Sequence, residues 1–195
     1  MMRWNQQRWD WLGAGGLVLM CLTGFVGAAR GQQPVEADIL LKGGRIVDGT
    51  GAPVRKGDVA IRGDRIVAVG EFAVERVDWI IDCRGLMIAP GFIDLHTHCD
   101  GPIQRAETRA NVNYLTQGCT TVVTGNCGSG PVDVEAFYAT IETYGAGTNV
   151  AHLIPQGAVR GHVIGSKQRA ATDAEIEKMQ ELVGRGMRAG AWGMS

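Results

Sequence analysis

Hydrophobic and polar residues change their spacing along the chain near Pro90. Between about residues 37 and 89, short apolar runs are separated by glycine-containing pairs, which are typical of tight turns between neighbouring strands. The three pairs are Gly43-Gly44, Gly63-Asp64 and Arg84-Gly85. We therefore predict a small N-terminal β domain over residues 37–89, a β-sandwich or a sheet, with a packing role.

After Pro90, apolar segments that fit strands alternate with segments of helical spacing. The predicted strands cover residues 92–98, 119–125, 149–154 and 191–195. One helix is predicted over 111–117, a second around 134–144, and a third after the capping box formed by Thr172 and Glu175. This alternation is typical of parallel βα units, so residues 90–195 are predicted to form a doubly wound sheet or part of a (β/α) barrel.

The first 31 residues have the pattern of a secretory signal peptide. Arg3 and Arg8 precede an apolar run that ends in small residues, and cleavage would follow Ala28 or Gly31. The sequence therefore predicts an exported protein, periplasmic or secreted, that meets the membrane only through this segment. The alternative is an uncleaved membrane anchor, because the 19 residues from 11 to 29 approach the roughly 20 that span a bilayer.

The composition is that of a globular protein and excludes one class of partner. Of the 195 residues, 45% are hydrophobic and 20% are charged, which suits one or two folded domains. The formal net charge is −1, so the chain has no basic field that would attract nucleic acid. Nothing in the composition predicts an oligomeric state.

Two of the four histidines stand two residues apart at the end of an apolar run. In a strand over 92–98, residues Asp94, His96 and His98 would share one face, because alternate side chains point the same way. Imidazoles at the carboxyl end of a parallel strand lie where βα enzymes place their chemistry. The pair therefore indicates a metal site, and a pair of hydrogen-bonded structural histidines is the alternative.

Cys127 follows the next predicted strand and adds a sulfur donor at the same end of the sheet. A thiolate is a strong zinc ligand. A disulfide is the competing interpretation, since an exported chain permits one. An extended strand would separate Cys119 and Cys127 by about 26 Å, beyond the roughly 7 Å limit between bridged Cα atoms, but Cys99 and Cys127 could pair.

Several segments resemble the N-acyl-D-amino-acid deacylases, or D-aminoacylases, of the amidohydrolase superfamily. The motifs are PGFIDLHTH at 90–98, QGCTTVVTGNCG at 117–128, NVAHLIPQGAVRGHVIG at 149–165, ATDAEIEKMQELV at 171–183 and GAWGMS at 190–195. The resemblance runs from about residue 37 to the end. His-x-His is shared across the superfamily, whereas the GNCG cysteine is much more specific to this branch.

The resemblance implies a metal-dependent (β/α)8 hydrolase with zinc as its metal. It places His96, His98 and Cys127 among the metal ligands. Asp94 is expected to lie behind the histidines and support them, as residues next to metal ligands often do. The implied reaction converts a small-molecule N-acyl-D-amino acid to a carboxylate and a D-amino acid. An aspartate serves the family as general base and acid.

Some positions depart from the family pattern. Pro155-Gln156 stands where the family has Gly-His, and Cys99 replaces a frequent aspartate. Asp100 matches an acidic position without an assigned role, and Arg160 is expected to be solvated or structural. His152 and His162 are expected in the core and on the surface.

The predicted barrel is incomplete. A (β/α)8 barrel needs about 250 residues, and only four strands are visible after Pro90. The resemblance therefore implies that the catalytic aspartate and further metal histidines lie beyond Ser195, and that this part alone is inactive. The alternatives are another amidohydrolase, such as a dihydropyrimidinase or an isoaspartyl dipeptidase, and an inactive metal-binding fragment. The cysteine disfavours both named enzymes, which use a lysine as ligand.

Overall fold

The computed structural model describes residues 33–195. The predicted signal segment, 1–31, lies outside the described residues. Among the residues described, no helix combines the length and the apolar character needed to cross a membrane. Two sheets account for all the strands in this part of the chain.

The first sheet contains five strands. They are Val35–Ile46 (β1), Arg55–Arg62 (β2), Arg65–Gly70 (β3), Val74–Asp82 (β4) and Met87–Ile88 (β5). The long strand β1 is central, because it pairs antiparallel with β2 on one side and parallel with β4 and β5 on the other. Ala37, Leu40 and Ala60 form a buried cluster in this sheet. The described residues form one sheet here, and the sandwich stays a prediction.

One of the three predicted turns forms a hairpin. Gly63-Asp64 joins β2 to β3, with Arg62 opposite Arg65, so this hairpin is confirmed. The hairpin predicted at Gly43-Gly44 is wrong, because β1 continues through both glycines with an irregular register. Gly43 has a left-handed φ of 74° and donates its N–H to the Asp58 carboxylate at 2.7 Å. The glycine pair therefore makes a bulge, not a turn.

The turn at Arg84-Gly85 exists but does not pair the strands on either side of it. Both β4 and β5 run parallel to β1, with Asp82 beside Lys42 and Met87 beside Arg45. The turn connects two strands that pair one after the other with the same side of β1. The expectation that flanking strands pair with each other is therefore wrong here.

The second sheet confirms the predicted alternation of parallel strands and helices. Its strands are Phe92–Asp94 (β6), Cys119–Thr124 (β7), Asn149–Ile154 (β8) and Gly193–Met194 (β9), and they lie side by side in that order. All three pairings are parallel. The helices are Val112–Leu115 (α1), Val134–Tyr144 (α2), Gln156–Ile164 (α3) and Asp173–Arg188 (α4).

The helix boundaries follow from local capping and from glycine content. The capping box of Thr172 and Glu175 is confirmed at the start of α4. Helix α3 was not predicted from the sequence, since Gly157 and Gly161 lower its helix propensity. Two buried clusters pack the helices on the sheet, one around Phe137 and the other around Ile154.

Candidate metal centre

The strand that carries the histidine motif ends four residues earlier than predicted. Strand β6 stops at Asp94, so His96 and His98 lie in the loop after it and the strand over 92–98 is wrong. The side chain of Asp94 ends the strand, because Oδ1 accepts the backbone N–H of His96 at 3.1 Å. A short-range bond of this kind competes with the sheet ladder for the backbone donor.

The loop is fixed between its two histidines by Thr97. The backbone N–H of Thr97 donates to the carbonyl of Val123 at 3.1 Å, and its hydroxyl donates to the same oxygen at 2.7 Å. Thr97 is buried, whereas His96 and His98 are exposed. The two imidazoles therefore stay on the same side of the loop, with ring centroids 5.4 Å apart.

Cys127 reaches the histidines from a tight turn after β7. Gly125 and Cys127 both have left-handed backbones, with φ of 79° and 55°. For Cys127 this conformation costs about 1–2 kcal/mol, because its Cβ approaches a carbonyl oxygen. The turn brings Sγ of Cys127 to 3.2 Å from Nε2 of His96.

Three predicted ligands thus form one cluster of donor atoms. A sulfur of Cys127 and a nitrogen from each of His96 and His98 all lie within 4.8 Å of one another. Tetrahedral zinc with bonds of about 2.0–2.3 Å requires ligand atoms roughly 3.3–3.8 Å apart. The observed spacing fits such an ion after small side-chain adjustments. A mixed sulfur and nitrogen donor set also suits zinc chemically.

The other cysteines do not join this cluster. Cys83, Cys99, Cys119 and Cys127 are all free, so the described residues contain no disulfide and the Cys99–Cys127 alternative is absent. Cys99 packs with Ile103 and Phe137 in the core. Burial raises the pKa of the Cys99 thiol, which keeps it protonated.

The remaining candidates have structural contacts. His152 is fully buried and His162 is exposed on α3, as expected from the sequence. The Arg160 guanidinium donates to the carbonyls of Lys167 and Arg169, both at 2.9 Å, so it supports a loop.

Sequence reasoning missed two side chains that contact the cysteine turn. Asp100 accepts the N–H of Gly125 at 2.6 Å, and the Ser195 hydroxyl donates to the carbonyl of Gly125 at 2.5 Å. Both contacts join a side chain to a distant backbone. No spacing rule predicts such pairs, although Asp100 was noted as an acidic residue two positions after the histidine motif.

The family follows from a comparison with known proteins. Residues 80–195 match the model of the amidohydrolase family named Amidohydro_3. The chain belongs to this family. Within it, the resemblance to the N-acyl-D-amino-acid deacylases is confirmed by curated relatives and by solved structures.

Two relatives from Alcaligenes xylosoxydans xylosoxydans match most of this amidohydrolase chain. N-acyl-D-aspartate deacylase is 41% identical over 185 residues, which cover 83% of this chain and 37% of the relative. D-aminoacylase is 36% identical over 181 residues, which cover 81% of this chain and 37% of the relative. The chain thus spans about 37% of the length of these relatives.

Solved structures have the same fold over the matched part. N-acyl-D-glutamate deacylase from Bordetella bronchiseptica, in complex with zinc and a phosphonate inhibitor, has a TM-score of 0.76 at 33% identity. That match covers 82% of this amidohydrolase chain and 38% of the relative. A D-aminoacylase with a binuclear metal centre has a TM-score of 0.75 at 34% identity, covering 81% of this chain and 38% of that one.

Proposed function

We propose that the complete protein is a zinc-dependent amide hydrolase that converts N-acyl-D-amino acids to a carboxylate and a D-amino acid. The observation that carries this proposal is the cluster of His96, His98 and Cys127 at the carboxyl end of a parallel sheet. Its nearest support from relatives is the set of deacylases that match this chain at 36% and 41% identity.

The proposed architecture extends what the two sheets present. Strands β6 to β9 would be the first four strands of a (β/α)8 barrel, since they are parallel and adjacent in chain order. Residues 37–89 would belong to a small β-sandwich domain and residues 90–195 to the barrel. The TM-score of 0.76 to a deacylase supports this arrangement over the matched part.

The proposed zinc site uses neutral imidazoles and a deprotonated thiol. His96 and His98 each offer a ring nitrogen, and Cys127 must lose its proton to bind. When bound, zinc supplies polarisation of the amide carbonyl and a bound water whose pKa falls toward about 7. Asp94 contributes indirectly, because it holds the backbone of His96 and so the loop that carries both rings.

The nearby carboxylates have other tasks. Asp94 accepts from the backbone of His96, and Asp100 accepts from the backbone of Gly125. We propose that neither is the general base. The proton acceptor for the attacking water would instead lie outside residues 33–195, as the family resemblance implies.

We also propose that the protein is exported. The support is the basic start, apolar middle and small-residue exit of residues 1–31. The enzyme would then encounter its substrate outside the cytoplasm and would contact the membrane only through this segment.

Hydrolysis of paired enantiomers tests the proposed function. The full-length protein is incubated with zinc and with the N-acetyl derivatives of D- and L-aspartate, D- and L-glutamate, and D- and L-methionine. We expect release of free amino acid from at least one D substrate and much less from its L partner. Preference for the L enantiomers, or turnover of only cyclic amides or dipeptides, would contradict the deacylase assignment.

A further inference from the structure

The turn that carries Cys127 has an unusual backbone. Gly125, Cys127 and Gly128 all have φ between 55° and 79°, and only two of the three are glycines. A side chain at Gly125 would lie 1.9 Å from the carbonyl oxygen of Leu153, so the turn also approaches β8 closely. Contacts from outside the turn are needed to keep Cys127 in this left-handed conformation.

Two side chains form hydrogen bonds to the same peptide segment. Oδ1 of Asp100 accepts the N–H of Gly125 at 2.6 Å. The hydroxyl of Ser195 donates to the carbonyl of Gly125 at 2.5 Å and accepts the N–H of Gly128 at 3.4 Å. The donor and the acceptor of Gly125 are therefore both satisfied by side chains, and Ser195 also spans the cysteine by bonding to residues on either side of it.

The two side chains follow different strands of the parallel sheet. Asp100 lies two residues after His98, so it ties the histidine loop to the cysteine turn. Ser195 follows β9, so it ties the far strand to the same turn. The carboxylate of Asp100 is 12% exposed, which strengthens its charged hydrogen bond relative to one in water.

The backbone of Ser195 is held independently of its hydroxyl. Its N–H donates to the carbonyl of Ile154 at 3.0 Å, and its carbonyl accepts the N–H of Gln156 at 2.8 Å. Removing the hydroxyl therefore leaves the pairing between β8 and β9 intact. The bonds to Gly125 and Gly128 are the contacts that such a change deletes.

We propose that Asp100 and Ser195 are positioning residues, which hold the turn so that Sγ of Cys127 faces His96 and His98. This inference rests on the proposed metal site. Residues that orient a metal ligand typically change metal affinity by about 10–100-fold when they are removed. The effect acts through the geometry of Cys127, so it changes the bond between sulfur and metal.

Cobalt substitution gives a readout that a general structural role would not change. A thiolate bound to Co²⁺ has a ligand-to-metal charge-transfer absorption, whose intensity reports the Cys127–metal bond. The full-length protein is compared as wild type, Ser195→Ala, Ser195→Thr, Asp100→Asn and Cys127→Ser, together with zinc affinity by chelator competition. Ser166→Ala is the matched control, because Ser166 is exposed in the turn after α3.

We expect Ser195→Ala and Asp100→Asn to weaken zinc binding about 10-fold or more and to reduce the charge-transfer band. Ser195→Thr, which keeps the hydroxyl, should recover most of both, and Ser166→Ala should match wild type. Unchanged affinity and band intensity in Ser195→Ala would overturn the positioning role. A lowered melting temperature of the metal-free Ser195→Ala protein, with zinc affinity and band intensity unchanged, would assign the hydroxyl to general stability and also overturn it.

A separate outcome tests the metal site on which the inference rests. If the wild-type protein has no charge-transfer band, or if Cys127→Ser leaves the band unchanged, Cys127 is not a ligand. The proposed zinc site and the positioning role then both fail. A normal Cys127-dependent band that is insensitive to Ser195→Ala and Asp100→Asn overturns the positioning role alone.

Discussion

The hydroxyl oxygen of Thr124 lies 2.8 Å from Nδ1 of His152, and both residues are fully buried. They are register partners on β7 and β8. The other ring nitrogen, Nε2, lies 2.9 Å from the carbonyl oxygen of Pro131, which can only accept. The ring therefore carries its proton on Nε2, and the Thr124 hydroxyl donates to Nδ1.

The protein should become less stable as the pH is lowered, because His152 is buried in its neutral form. Burial lowers the pKa of His152 below its ordinary value of about 6.5, while the Pro131 carbonyl and Asp100 act in the opposite direction. The unfolded chain therefore binds a proton that the folded chain does not. Stability is complete above about pH 6.5 and is lost as pH falls toward the folded-state pKa.

Melting temperatures of the full-length protein between pH 8 and pH 5 measure this effect. In His152→Gln, which cannot titrate, the loss of stability on acidification should be smaller than in wild type, even though the variant starts from a lower melting temperature. Equal pH dependence in the two proteins would assign the acid sensitivity to other groups.

Loss of the sulfur donor should remove most of the bound zinc. Cys127→Ser is expected to weaken zinc binding more than the roughly 10–100-fold that is typical when a residue that orients a metal ligand is replaced. Cys119→Ser is the matched control, because Cys119 begins the strand β7 that ends before Cys127. Zinc content after dialysis, measured by mass spectrometry of the metal, distinguishes them. Full zinc retention in Cys127→Ser would show that the ligand assignment is wrong.

Part of this site was predictable from the sequence, and part was not. Two strand ends of a parallel sheet meet at one edge, so the proximity of His96 and Cys127 followed from the alternation of strands and helices. The early end of β6 did not follow, because it depends on the single bond from Asp94 to the His96 backbone. The spacing of hydrophobic residues does not predict local side-chain hydrogen bonds of this kind.

The first sheet illustrates the same limit in another way. A glycine pair is compatible with a hairpin turn or with a bulge. At Gly44 the choice is made by packing, since an added Cβ would lie 2.5 Å from a side-chain carbon of Ile88. That contact joins residues far apart in the chain. The pair Gly63-Asp64 has no such constraint, and there the hairpin formed as predicted.

Substitution at Gly125 should destabilise the protein, because this position needs a glycine for two reasons. Its φ is 79°, and an added Cβ would lie 1.9 Å from the Leu153 carbonyl oxygen. We expect Gly125→Ala to cost about 2 kcal/mol or more in folding free energy. Gly161→Ala is the control, since Gly161 lies within α3 with no atom near its added Cβ, and helix propensity predicts a gain of up to about 1 kcal/mol.

Thermal unfolding of the metal-free full-length variants separates these two glycines. A lower melting temperature for Gly125→Ala with an unchanged or higher one for Gly161→Ala is the expected result. If both variants melt like the wild type, the close approach between the cysteine turn and β8 is not present in solution.

Export makes a prediction about the mature N-terminus. We expect protein recovered from the native cell envelope or medium to begin between Ala29 and Gln32, because cleavage is predicted after Ala28 or Gly31. N-terminal sequencing checks this directly. Recovery of intact Met1 in the soluble cytoplasmic fraction would rule out the signal peptide, and intact Met1 in the membrane fraction would favour the anchor.

Residues 33–195 alone should associate with one another and lack deacylase activity. Strands β6 and β9 lie at the two edges of the described parallel sheet, and unpaired edges promote pairing with other chains. Large apolar side chains near these edges are exposed, including Leu95 at 72% and Trp192 at 77%. We assign no carboxylate near His96, His98 and Cys127 as the general base. General acid–base catalysis is typically worth about 100- to 10,000-fold in rate. Size-exclusion chromatography and hydrolysis of N-acetyl-D-aspartate, with zinc supplied, compare this fragment with the full-length protein. We expect large assemblies and no turnover from the fragment, and turnover from the full-length protein; deacylation by a monodisperse fragment would contradict the view that residues outside 33–195 complete the active site.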